Sequence, residues 1–203
     1  LLRTKQFEAA LAIAKLDQAK AEIAEALPPD GWLVYNSDNP YCRLIASRTK
    51  CRTFSYGSDA SNLTPDLWIQ KAEQTAHGIE VQLVHQGRTL CAVIPVHGLH
   101  QAHNAAAAVG VGICLGISPL QALGSLQHAA PTPHRCAVSQ VDGVTWIDDS
   151  YNSNPKGFRN ALEVLRTLPG ERAILVTPGM IELGDAHSAE HRLLAQSIAA
   201  SCQ

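Results

Sequence analysis

No C-x-x-C pair occurs in this 203-residue chain, and none of its six cysteines, Cys42, Cys51, Cys91, Cys114, Cys136 and Cys202, stands at metal-ligand spacing from a histidine. That excludes the common zinc and dithiol motifs, and the thiols read as reduced and mostly buried. An excess of either charge is also missing: Lys and Arg total 16, Asp and Glu 18, for a formal net charge of −2. With no basic cluster there is no electrostatic footprint for nucleic acid or an anionic membrane, which leaves small molecules or protein as partners. No uninterrupted apolar run reaches the ~20 residues that a membrane span needs, and no charged-then-apolar leader is visible, so the expected location is cytoplasmic. Internal repeats and low-complexity segments are absent. Nowhere does the chain read G-x-x-G-K-[S/T], so it contains no P-loop to cradle nucleotide phosphates. The sequence begins at Leu1 within a helical pattern and stops at Gln203 just after an αβ unit, and we expect a fragment of a longer protein.

What is present alternates between strand and helix patterns. An Ala-, Leu-, Lys- and Glu-rich run over 7–27 has apolar residues at helical spacing and ends at "PPDG". "WLVYN" (32–36) reads as a short buried strand, 40–47 as a helix and "RTFSYG" (52–57) as a second strand, an order that suggests a parallel sheet. The next three alternating segments, with a turn at Gly87, predict antiparallel hairpins at one side of that sheet. A tightly packed Ala-rich helix follows over 101–115, then a helix with Ser118 as N-cap and Pro119 at its first position. "PTPHR" (131–135) breaks the pattern and is the expected domain boundary. Beyond it we expect strands at 136–141, 144–149 and 173–177, and helices at 155–167 and 187–200.

Residues 147–155, Ile-Asp-Asp-Ser-Tyr-Asn-Ser-Asn-Pro, stand where a strand breaks into a polar turn and restarts as a helix. Adjacent carboxylates, amide side chains and unpaired helix N–H groups in one crevice make a geometry suited to a nucleotide. A second polar stretch, Gly98-Leu99-His100-Gln101-Ala102-His103-Asn104-Ala105, puts side chains at 100, 101 and 104 near the first turn of a helix. An Asn amide supplies both an acceptor and a donor, as a purine edge requires.

"DDSYNSNP" resembles the "DDSYNANP" signature that opens the C-terminal domain of ATP-dependent Mur ligases, most like the branch that adds D-alanyl-D-alanine to UDP-N-acetylmuramoyl-tripeptide. The 98–105 stretch resembles the family's "G-x-H-N-x-x-N-A", with Asn104 at the second Asn and Gln101 in place of the first. "YNSDNP" (35–40) is similar to "LNADDP", with Asp38 and Asn39 as turn and cap residues, and "VTPGMIELG" (176–184) to "VLGDMLELG". The match runs from about Phe7 to His191 with its motifs in family order.

The resemblance implies an α/β fold: the distal part of a P-loop-type central domain over 1–135, followed by the first half of a Rossmann-like C-terminal domain over 136–203. It implies ATP and Mg²⁺ as cofactors. His100, Gln101 and Asn104 would face adenine, Arg135 the ribose or phosphates, and Asp149 the ribose hydroxyls, while Tyr151, Asn152 and Asn154 would shape the crevice. Lys20, in "AKAEI", matches a lysine that is carbamylated in several members and bridges to Mg²⁺; Lys15 is its rival. Lys20 and Arg135 are thus the catalytic candidates. The parent would be an acid–amino-acid ligase of peptidoglycan precursor synthesis, a monomer, with this fragment inactive alone. Another ligase of the superfamily (amino-acid-adding, folylpolyglutamate or cyanophycin type) and a non-catalytic binding module remain alternatives. Glu182 and His191 read as a structural pair, and His77, His85, His97, His128, His134 and His187 carry no assignment.

Overall fold

The computed structural model describes residues 21–61, 64–151, 153–170, 172–181 and 183–201. Residues 21–25 are helical. Five strands then form one mixed sheet in sequential order: β1 (Trp32–Asn36), β2 (Arg52–Gly57), β3 (Leu67–Thr75), β4 (Gly78–His85) and β5 (Arg88–Ile94). β1, β2 and β3 run parallel, and β3, β4 and β5 are antiparallel, joined by tight turns. Helix α1 (Pro40–Arg48) makes the β1-to-β2 crossover that parallel pairing requires. Its cap is local chemistry: the Asn39 carboxamide oxygen accepts from the N–H groups of Tyr41 and Cys42, with Pro40 at the first position. Asp38 beside it accepts from the N–H groups of Ser58 and Asp59, tying the end of β1 to the end of β2.

Helix α2 (Gln101–Cys114) lies on one face of this sheet. Its buried residues Ala102, Ala105, Ala106 and Val109 recur at helical spacing and meet Ile79, Val81 and Leu83, which alternate along β4 with none of their surface exposed. Each such aliphatic side chain stabilises the fold by about 1.5–3 kcal/mol on burial. Small residues let the helix come close: a Cβ on Gly110 would stand 3.1 Å from both Phe54 and Val34. Helix α3 (Pro119–Ser125), capped by Ser118, buries Leu123 under α2 and continues as one 3-10 turn over Leu126–His128.

After the 131–135 linker, β6 (Ala137–Val141) and β7 (Val144–Asp148) pair as a two-stranded antiparallel ribbon. Helices α4 (Pro155–Thr167) and α5 (His187–Ser201) pack together through Leu162, Leu194 and the loop residue Met180. The strand expected at 173–177 is not formed. Ile174 and Val176 are 73% and 92% exposed, and the segment pairs with no strand among the described residues. An apolar run of this kind reads as a buried strand only because such strands have neighbours on both edges; without them its backbone stays irregular. No described helix is long and apolar enough to cross a membrane.

Candidate functional site

The start of α2 carries three of the sequence-predicted residues. Gly98 has φ +98°, and a Cβ there would lie 2.7 Å from the His100 ring, so only glycine lets the imidazole fold back over the chain. The Gly98 N–H is held by the Gln74 carboxamide at 2.7 Å, and the same side chain reaches the buried His97 at 2.9 Å. One turn into the helix, Asn104 Nδ2 donates to Gln101 Oε1 at 2.8 Å. That contact leaves the Asn104 carbonyl oxygen as an acceptor and the Gln101 amide as a donor, unpaired among the described residues. Side by side, they match the N6 amino group and N7 of adenine in kind.

The second half of the site is built at the end of β7. Asp149 Oδ1 accepts the backbone N–H of Cys136 at 3.0 Å, leaving Oδ2 without a hydrogen bond among the described residues. Burial raises the Asp149 pKa above the usual carboxylate value, opposed by the Cys136 N–H and by the charges of His100 and Arg135. Burial likewise lowers the His100 pKa; the Asp149 charge opposes this, while Lys156 and Arg135 add to it. These reciprocal effects bring His100 of the α2 start, Arg135 of the linker and Asp149 of the β7 end within one another's field. His100 Nδ1 also meets the Asn160 amide of α4 at 3.3 Å, linking the two halves directly. The Arg135 guanidinium lies 3.8 Å from the centre of the exposed Tyr151 ring, a cation–π arrangement that leaves its N–H groups without a hydrogen-bond partner among the described residues and able to meet an anion.

Other predicted residues fall elsewhere. Lys20, Lys15, Asn152 and Glu182 lie outside the described residues. The Asn154 side chain is committed as the N-cap of α4, accepting the Gly157 N–H at 2.9 Å. His191 Nε2 accepts the Met180 N–H and its Nδ1 faces the His187 carbonyl, so it serves the loop before α5. A cavity of about 320 Å³ lies apart from the cluster, lined by Pro65, Asp66, Trp68 and His85 among others. Sequence reasoning gave no role to His134, Lys156 or Asn160, and none to Asp148 beyond its place in the carboxylate pair, yet all four touch the cluster or reach it electrostatically. Lys156 and Asn160, two and six positions after Asn154, lie on the helix that it caps, and that spacing was the available signal.

Residues 9–112 match the Mur ligase middle domain, and residues 134–203 match the Mur ligase glutamate ligase domain. This chain belongs to the Mur ligase family. The UDP-N-acetylmuramoyl-tripeptide--D-alanyl-D-alanine ligase of Bacillus subtilis (strain 168) is 32% identical over 177 residues, covering 86% of this chain and 37% of that protein. MurF from Acinetobacter baumannii superposes with a TM-score of 0.78 at 26% identity, covering 91% of this chain and 39% of that one. MurF from Thermotoga maritima in complex with ADP shares the fold, with a TM-score of 0.71 at 22% identity over 89% of this chain and 41% of that one. The chain therefore spans well under half the length of these Mur ligases. His100, Gln101 and Asn104 fall in its Mur ligase middle-domain segment, and Arg135, Asp149 and Tyr151 in its glutamate-ligase segment.

Proposed function

We propose that this chain carries the adenine- and ribose-facing part of the ATP site of a ligase that joins D-alanyl-D-alanine to UDP-N-acetylmuramoyl-tripeptide, with 1–135 and 136–203 contributing from two domains. The reading is carried by the meeting of the α2 start with the second segment, where His100 Nδ1 lies 3.3 Å from the Asn160 amide with Arg135 and Asp149 close by. The naming of the Bacillus subtilis relative supports the substrates, and ADP in the Thermotoga maritima MurF complex supports the nucleotide.

The donor set fits a nucleoside. Asn104 and Gln101 would take the adenine edge, the free oxygen of Asp149 would accept from ribose hydroxyls, and Arg135 would neutralise phosphate charge in a fixed fork of N–H donors. Bound ATP supplies the phosphoryl group that activates a carboxylate for attack by an amine. The chain's own residues orient the nucleotide and balance its charge, which is where catalysis of this kind gains its rate. Among the described residues no group of three or more His, Cys, Asp or Glu side chains converges on a metal position. Lys20, outside the described residues, is the residue that would meet Mg²⁺.

Calorimetry tests the nucleotide reading. A handful of neutral hydrogen bonds at ~1 kcal/mol each, offset by the cost of association, points to roughly millimolar ADP binding by this chain. Arg135→Ala and Asp149→Ala should each weaken it, and unchanged affinity in both would refute the site. In the complete enzyme, Lys20→Ala should abolish most phosphate release in the presence of tripeptide and dipeptide substrates and be partly rescued by short carboxylic acids, with Lys15→Ala mild. The reverse ranking would move the role to Lys15.

A further inference from the structure

Arg135 stands between two residues in the left-handed backbone region, His134 at φ +62° and Cys136 at φ +50°. Neither is glycine, and such conformations persist only where the surroundings over-determine them. The surroundings here are the strand end at 148–151. His134 Nδ1 lies 2.8 Å from Asp148 Oδ2, and because a carboxylate only accepts, the imidazole nitrogen is the donor. Ser150 fixes that carboxylate from the other side, its hydroxyl and its N–H reaching Asp148 Oδ1 at 2.7 and 3.1 Å. The His134 carbonyl accepts the Tyr151 N–H at 3.1 Å, and the Cys136 N–H goes to Asp149. The linker is thus pinned on both sides of Arg135, whose guanidinium then lies over Tyr151.

We propose that His134 and Asp148 are positioning residues: their hydrogen bond selects the left-handed linker turn that lays the Arg135 guanidinium over the Tyr151 ring and presents it to the nucleotide. The last clause rests on the ATP-site reading above; the first does not. The trio His134, Asp148 and Ser150 is no hydrolytic relay, because Ser150 donates to Asp148 and faces the same ring nitrogen that the carboxylate holds. Nor is it chiefly a source of stability. His134 and Asp148 are 59% and 43% exposed at their side chains, where an ion pair contributes little to folding. What such a contact can do is choose between turn conformations of similar energy.

The test reads Arg135 itself. In the free 203-residue chain, NMR should find the Arg135 side-chain protons shifted upfield by the Tyr151 ring. Glycine at 134 adopts the turn without strain but loses the donor. Asparagine tolerates the same backbone and places an amide N–H where the ring N–H was. His134→Gly and Asp148→Ala should lose the upfield shift with the rest of the spectrum intact, and weaken ADP roughly threefold; His134→Asn should keep both. A wild-type shift in His134→Gly, or its loss in His134→Asn as well, overturns the proposal. Arg135→Ala and Asp149→Ala separate the two readings: if both leave ADP binding unchanged the ATP site is wrong, while the ring-current result still decides the role of His134.

Discussion

Asp149 holds the backbone N–H of Cys136 at 3.0 Å, joining the last residue of a strand-end carboxylate pair to the first residue after the linker. One side chain therefore has two jobs that substitution can separate. Asp149→Asn keeps an acceptor for Cys136 and should retain the fold while losing ADP affinity, since the ribose-facing charge is gone. Asp149→Ala leaves a buried N–H unsatisfied at a cost of about 1–3 kcal/mol. Urea denaturation paired with ADP titration should find the Asn variant impaired only in binding and the Ala variant in both. Equal loss of stability in the two would mean that the charge, not the acceptor, holds the linker.

Gly98→Ala should destabilise the chain by about 1–3 kcal/mol and displace His100. At φ +98° an L side chain is strained, and its Cβ would press on the imidazole at 2.7 Å. Thermal denaturation gives the first effect, and the His100 ring signals in an NMR spectrum give the second. Unmoved His100 signals would show that the ring does not depend on the glycine for its place.

The parts of this fold that could be read from sequence are those where local and tertiary preferences agree. Asn39-Pro40, Ser118-Pro119 and Asn154-Pro155 all cap helices as their chemistry dictates, and the alternation of Ile79, Val81 and Leu83 gave the buried face of β4. The 173–177 segment misled because an apolar run encodes burial, not the neighbours that would supply it. Within the candidate site, Asp149 and Arg135 were named from motif resemblance. His134 was not, because its part depends on a backbone φ and on a carboxylate 14 positions away, and neither leaves a pattern in sequence.

Stability should fall as pH drops through the histidine range. Burial lowers the pKa of His97 and of His100 below the ordinary 6.5, so the unfolded chain binds protons there before the folded chain does. Stability is then fully present above 6.5 and is lost as pH falls toward the depressed folded values. His97 carries a structural reason as well: its Nδ1 meets the Gln74 amide, a contact that protonation would break. His97→Asn keeps an acceptor that does not titrate. Melting temperatures followed from about pH 7.5 to about pH 5.5, before most carboxylates titrate, should decline in the wild type and decline less in this variant. A flat wild-type profile would contradict the depressed values.

Thiol reactivity offers an independent check on the packing around the linker. Cys136 is 3% exposed, and burial together with the nearby Asp149 charge pushes its pKa up to about 12. At neutral pH it is almost wholly the unreactive thiol, whereas Cys91 is exposed on β5. Brief treatment with iodoacetamide near pH 8, read by peptide mass spectrometry, should modify Cys91 and spare Cys136 in the folded chain, with both modified after denaturation. In Asp149→Ala the linker loses its hydrogen bond to the strand end while the acidic neighbour that suppresses the thiolate is removed, so both effects act to raise labelling at Cys136. Protection of Cys136 in that variant equal to wild type would show that packing alone shields the thiol and that the Asp149 contact does not close the linker.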